Sequence, residues 1–149
     1  MIEKILQKNN IPILCGGTML WLDAVSENYL FDKNKEKKSQ KKLSPKYDFF
    51  KIGIHWSRKI LYERINKRAV EQFKNGLIEE TEKNLKKYKI TKTALTSFGY
   101  LEIQKYLEKK ITYEEALATN QKRNRNYAKR QLTWWRGRDD IFWLSGEDI

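Results

Sequence analysis

The strongest constraint on the fold lies near the C-terminus, where the chain from about Tyr113 to Arg136 reads as one long helix. Thr112-Tyr113-Glu114-Glu115 has the form of a capping box, with Thr112 as the cap and Glu115 three residues on. Gly137 supplies the stop. Inside this helix, Lys122-Arg123-Asn124-Arg125-Asn126-Tyr127-Ala128-Lys129-Arg130-Gln131-Leu132-Thr133-Trp134-Trp135-Arg136 carries many positive charges, no acid and three aromatics. At about 100° per residue, Lys122, Arg125, Lys129 and Arg136 fall within an arc of roughly 60°. Leu132, Ala128 and Trp135 share a neighbouring arc that can pack on a core. Four like charges on one stripe repel unless an anion lies along them. A nucleic-acid backbone is such an anion, and the Asn, Gln, Thr and Trp beside the charges can hydrogen-bond or stack. A solvated face on a core helix would look the same, so the stripe alone leaves both readings open.

The whole chain leans the same way. Its 149 residues suit one domain with a real core, and 31 Lys+Arg against 19 Asp+Glu give a formal charge of +12. That excess favours a polyanionic partner, nucleic acid before membrane. The single cysteine, Cys15, excludes an internal disulfide and a cysteine-based zinc cluster, and the single histidine, His55, excludes a catalytic His pair. No apolar run reaches the roughly 18–20 residues of a membrane span, and the N-terminus lacks a signal-peptide core. These features predict a soluble, cytoplasmic protein without membrane contact.

Taken in order, the chain predicts a short helix over residues 2–8, broken by Asn9 and Asn10. Ile11-Pro12-Ile13-Leu14-Cys15 reads as a strand apolar on both faces, the kind found in covered parallel sheets. Gly16-Gly17-Thr18 and a helix from Met19 to about Val25 follow. Strand, Gly-Gly turn and helix make half of a doubly wound α/β unit, whose ligands gather at strand ends and helix N-termini. Thr18 falls at the helix start, where plain capping is its ordinary use. Residues 26–46 are lysine-rich and poor in apolar side chains, which predicts a linker.

From Tyr47 onward a strand ending at His55 precedes a helix capped by Ser57 and running from Arg58 to about Asn75, with Gly76 as its stop. Ile60, Leu61, Ile65, Ala69 and Phe73 form its core stripe. Arg64 and Arg68 lie four apart on a flank, with Glu63 and Glu71 as ordinary salt-bridge partners. A further helix begins at Leu77. Ser97-Phe98-Gly99-Tyr100 breaks the chain before another helix, and Ile141–Leu144 reads as a short final strand. The division is therefore 1–25, 26–46 and 47–149.

Four stretches together resemble the tRNA dimethylallyltransferase family. Ile11-Pro12-Ile13-Leu14-Cys15-Gly16-Gly17-Thr18-Met19-Leu20-Trp21 is similar to its I-P-hydrophobic-hydrophobic-x-G-G-T-x-L-Y. Arg58 through Arg68, followed by Gly76-Leu77 and Glu80, resembles its arginine helix, and Phe98-Gly99-Tyr100-Leu101-Glu102 its hydrophobic-G-Y-x-E. Arg125 through Arg136 is close to T-R-x-Y-A-K-R-Q-x-T-W-hydrophobic-R without its leading threonine, which Asn124 replaces here.

The resemblance implies an α/β fold: part of a P-loop-NTPase-like doubly wound core with a mainly helical C-terminal half. It implies transfer of a dimethylallyl group from its diphosphate to N6 of the adenosine 3′ of the tRNA anticodon, assisted by magnesium. By match to the family's motifs, Thr18 would contact the reaction centre and Arg68 the diphosphate. Asn124, Arg125, Lys129, Arg130, Gln131, Trp134 and Arg136 would contact the anticodon stem-loop, as would Ser97 and Tyr100.

The family's phosphate loop, G-x-x-x-x-G-K-[ST], has no counterpart, because none of the seven glycines precedes a lysine. Its general-base aspartate and helical insertion have none either. The magnesium ligands are therefore not expected in this chain. The expectation is a protein that binds RNA but does not complete transfer alone, either with a separate N-terminal chain or as a relic, with a non-catalytic stem-loop-binding module as the alternative.

Overall fold

Asn9 takes a left-handed φ of 55° and closes helix α1, Ile2–Leu6, as the Asn pair predicts. The computed structural model describes residues 1–31, 40–95 and 99–148. Its first unit, Met1–Phe50, contains α1, helix α2 (Met19–Ser26) and a small antiparallel pair, β1 (Tyr29–Phe31) with β2 (Gln40–Lys42). Glu3 joins this unit's two ends by pairing with Lys46 and accepting from the Tyr47 hydroxyl at 3.2 Å.

Two expectations change in this unit. Ile11–Cys15 is not a buried strand: it joins no ladder among the described residues, and Ile11 and Ile13 are each 87% exposed. A run apolar on both faces is buried only between two covering layers, and short helices with three-residue strands do not provide them. Conversely, residues 26–46 are not only a linker, because their two ends pair in register from Tyr29↔Lys42 to Phe31↔Gln40. Asn28 supports that pairing with a left-handed φ of 50°, and its side-chain Nδ2 donates a hydrogen bond to the Ser44 carbonyl at 2.9 Å.

The second unit, Lys51–Ile149, opens with β3 (Lys51–His55) and closes with β4 (Ile141–Ser145), which pair in parallel from Lys51↔Ile141 to His55↔Ser145. Gly53 sits opposite Trp143, and a Cβ there would lie 2.6 Å from the indole, so the ring's place requires glycine. The pair leaves Ile52, Ile54 and Phe142 more than half exposed.

Helices fill the space between the two strands in sequence. Helix α3 spans Arg58–Gln72 and leads through Phe73–Leu77 into α4, Ile78–Lys87. The expected stop is real but brief: Asn75 and Gly76 leave helical angles, Gly76 at φ 98°, and the chain resumes a helix at once. The short α5 (Lys92–Leu95), α6 (Tyr100–Leu107) and the 24-residue α7 (Tyr113–Arg136) follow.

The core is helical. Phe73, Ile103 and Ala116 are buried together, with Leu77, Tyr106, Tyr113 and Leu117 packed around them. Phe73 and Tyr113 meet edge to face at 5.8 Å, and Tyr106 meets Tyr113 at 6.0 Å. The result is a mixed α/β protein with a parallel strand pair and a mainly helical C-terminal half, the expected class.

Candidate nucleic-acid interface and arginine cleft

The capping box starts α7 as its sequence predicts. Glu115 N–H donates to Thr112 Oγ1 at 3.2 Å, and Thr112 N–H to Glu115 Oε2 at 2.8 Å. From that fixed start, the sides of the helix divide between packing and solvent.

On the packed side, Arg123 Nη1 donates to Glu102 Oε1 of α6 at 2.6 Å. Gln121 donates to the Asn66 carbonyl of α3 at 3.2 Å, and Arg125 Nη1 to the Asn66 Oδ1 at 2.6 Å. Asn124 is buried and donates to both oxygens of Asn120, at 3.1 Å and 2.7 Å. The Asn124 amide, expected to contact RNA, is here engaged inside the helix packing. The reason is angular: Asn124 falls one turn beyond buried Asn120, away from the basic stripe.

On the solvent side, Lys122, Lys129 and Arg136 are exposed and have no acidic partner among the described residues. Arg130 stands over Tyr127 at 5.6 Å. Thr133 returns its hydroxyl to the Lys129 carbonyl at 3.0 Å, and Gln131 is half-buried. Trp134 is 44% exposed, with the Arg138 guanidinium 5.8 Å from its ring and 4.9 Å from that of Trp135. The predicted stripe thus keeps three of its four cations in solvent, while Arg125 turns toward α3.

Tyr100 is half-buried at the start of α6. Its hydroxyl donates to Glu80 at 2.7 Å and accepts from Asn84 at 2.8 Å, tying α6 to α4. The hydrogen bond to the Glu80 carboxylate holds its phenol above the ordinary tyrosine range. Ser97 lies outside the described residues.

Arg68 is exposed and lines a shallow cleft of ≈ 360 Å³ with Glu71, Gln72, Asn75, Leu77 and Glu80. The salt bridges expected on this flank do not form among the described residues. Arg64 instead stacks 4.4 Å from the Trp56 ring centroid, and Arg68 has no hydrogen-bond or ion-pair partner among the described residues. Its guanidinium is therefore available to an anion entering the cleft, although Glu71 and Glu80 oppose a highly charged one. Glu80 also accepts the Tyr100 hydrogen bond, so the cleft and the α4–α6 junction share one carboxylate.

In the first unit, Thr18 is the exposed N-cap of α2, and its side chain makes no capping bond. Among the described residues, no three His, Cys, Asp or Glu side chains gather as metal ligands, and no helix is long and apolar enough to cross a membrane.

Sequence reasoning missed Asn66 and Asn120, which organise α7 from outside and inside the helix. Each is an isolated polar residue in an amphipathic pattern, and nothing local distinguishes it from a surface amide.

Strands β3 and β4, the α3–α7 helical body and the exposed basic, aromatic helix face define a class: a mixed α/β protein with a surface suited to a polyanion. The chain matches the IPP transferase family over residues 1–44 and 29–138, and it belongs to that family. It is 44% identical over 100 residues to the tRNA dimethylallyltransferase of Koribacter versatilis, covering 67% of this chain and 33% of that protein. An alignment of 206 positions with the Halothermothrix orenii tRNA dimethylallyltransferase gives 32% identity over 97% of this chain and 63% of that protein.

Solved structures agree. The tRNA isopentenylpyrophosphate transferase of Bacillus halodurans superposes with a TM-score of 0.64 at 36% identity, over 68% of this chain and 33% of that one. The Staphylococcus epidermidis tRNA delta(2)-isopentenylpyrophosphate transferase gives 0.67 at 33% identity, over 71% and 34%. The chain therefore spans between a third and two thirds of the length of these relatives.

Proposed function

We propose that this chain is the tRNA-gripping part of a tRNA dimethylallyltransferase in the cytoplasm. The reaction would move a dimethylallyl group from its diphosphate to N6 of the adenosine 3′ of the anticodon. The observation that carries this reading is the solvent side of α7 in a member of this family. Lys122, Lys129 and Arg136 stand there without acidic partners among the described residues, on a helix whose other side is held by Glu102 and Asn66. Held charges bind a polyanion with less ordering cost than mobile ones.

Arg68 is the proposed diphosphate group. A departing diphosphate gathers negative charge, and a guanidinium binds it in a bidentate way. Thr18, with an uncommitted hydroxyl at a helix start, is the proposed contact to the target nucleotide. Magnesium would enter with the diphosphate. Among the described residues no three acidic, His or Cys side chains gather around an ion, so the diphosphate oxygens themselves would be its main ligands.

Transfer itself we assign to this chain only in company. With no phosphate loop among these 149 residues, the loop and the base would come from sequence outside them, as a separate N-terminal chain would supply. The same lack favours a second reading, a non-catalytic module that binds the anticodon stem-loop.

Purified protein with dimethylallyl diphosphate, magnesium and an anticodon stem-loop separates these. Salt-sensitive stem-loop binding without isopentenyl-adenosine supports the grip and the need for a companion. Robust product from this chain alone overturns the incompleteness, and absence of salt-sensitive binding overturns the grip.

A further inference from the structure

Tyr62, on α3, draws two guanidiniums from two different helices. The Arg58 Cζ lies 5.6 Å from its ring centroid, and the Arg125 Cζ, from α7, lies 5.9 Å from it. Arg58 Nε donates to the Tyr62 hydroxyl at a long 3.4 Å, and Arg125 is oriented by its 2.6 Å bond to Asn66. Neither arginine has a carboxylate partner among the described residues, and the Tyr62 hydroxyl proton has no acceptor there.

Two guanidiniums from two helices thus lie within 6 Å of one ring, and among the described residues no carboxylate answers either. A ring face attracts each cation but neutralises neither. Arg64, elsewhere on α3, stacks alone on Trp56 at 4.4 Å, one guanidinium to one ring.

We propose that Arg58, Tyr62 and Arg125 form a seat for one phosphate of an RNA backbone, carrying the polyanion surface from α7 onto α3. The inference rests on the RNA-binding reading given above and adds α3 to the contact surface. Arg125 belongs to the basic stripe of α7, so a strand following Lys129 and Lys122 meets Arg125 at the seam, with Arg58 across it. A guanidinium pair suits a phosphate because each can offer two parallel N–H donors to its oxygens. Base identity plays no part, so the seat holds position rather than reading sequence.

The test is fluorescence anisotropy of a labelled anticodon stem-loop across a potassium chloride series, using the full chain. Variants are Arg58→Gln, Arg58→Lys, Tyr62→Phe and, for the α7 grip, Lys129→Ala with Arg130→Ala. Losing one phosphate contact should reduce the slope of log affinity against log salt by roughly 0.7–0.9. Arg58→Gln should show that reduction with affinity several-fold weaker, whereas Arg58→Lys should restore the slope and Tyr62→Phe should weaken binding without changing it.

An unchanged slope in Arg58→Gln, while the α7 double variant weakens binding, overturns the seat and leaves the RNA-binding reading standing. No salt-sensitive binding by the wild-type chain overturns both. Thermal melting of each variant is the control, and a lower melting temperature in Arg58→Gln with an unchanged slope assigns the cluster to helix packing. Inorganic pyrophosphate competition is the last arm. If pyrophosphate binding is lost in Arg58→Gln while the RNA slope is kept, the seat belongs to the diphosphate and not to RNA.

Discussion

Arg123 and Glu102 form an ion pair across the α6–α7 interface, Nη1 to Oε1 at 2.6 Å, with the carboxylate side chain only 4% exposed. Glu102 Oε2 has no hydrogen-bond partner among the described residues. The carboxylate therefore depends on one guanidinium. Removing that partner leaves a buried, uncompensated charge, so Arg123→Ala should cost about 3 kcal/mol, the low end for breaking a buried pair because Arg123 is partly solvated. Glu102→Gln, which keeps the shape and removes the charge, should cost less. Urea unfolding of both variants checks the order, and a larger loss in Glu102→Gln would contradict the dependence described.

Asn124 should behave as a stability residue. Its amide is buried on Asn120, so Asn124→Ala should lower stability by about 1–2 kcal/mol through the lost bonds and the unsatisfied Asn120. The salt slope of stem-loop binding should stay that of the wild type. A lower slope at unchanged melting temperature would return Asn124 to the RNA surface.

Gly99 opens α6 at φ 92°, buried, with Leu77 Cδ2 3.0 Å from where a Cβ would stand. Backbone strain and the close neighbour act in the same direction, so Gly99→Ala should destabilise by about 1–3 kcal/mol. Because Tyr100 follows directly, its bond to Glu80 should loosen as well. Alkaline absorbance titration of the tyrosines would then show the high-titrating phenol moving back toward the ordinary range.

Asp140 bonds to Lys51 at 2.5 Å at the start of the β3–β4 pair, and that bond holds its carboxyl below the ordinary range. A depressed native value means that the stabilisation is complete above the unfolded value, about 3.9, and is lost as pH falls through the lower native one. Stability should thus decline on acidification below roughly pH 4, and less so in Asp140→Asn. Thermal melts from neutral pH to pH 2.5 would expose an identical acid dependence in the variant, which would exclude this pair as the cause.

Arg68 separates the two chemistries proposed for the chain. Arg68→Ala should leave stem-loop affinity within about twofold, because the α7 grip does not include it, yet remove inorganic pyrophosphate binding in the cleft. Its exposed position makes a stability change within about 0.5 kcal/mol the expectation. Equal loss of RNA binding would make Arg68 an RNA contact.

The sequence by itself determined the long helix, its box at Thr112 and Glu115, the helix breaks at Asn9 and Gly76, and the order of motifs that makes the family legible. These are local properties: capping, periodicity and glycine freedom act within a few residues. It could not determine that Ile11–Cys15 stays unpaired, because a strand's burial depends on neighbours contributed by other parts of a fold. Nor could it show that Arg125, on the basic stripe, turns toward α3. The rotational setting of α7, fixed by Asn66 on α3 and Glu102 on α6, decided which polar residues of α7 are spent on packing and which face solvent. Rotation of that kind is a sum of distant contacts. Only the tertiary structure holds that sum.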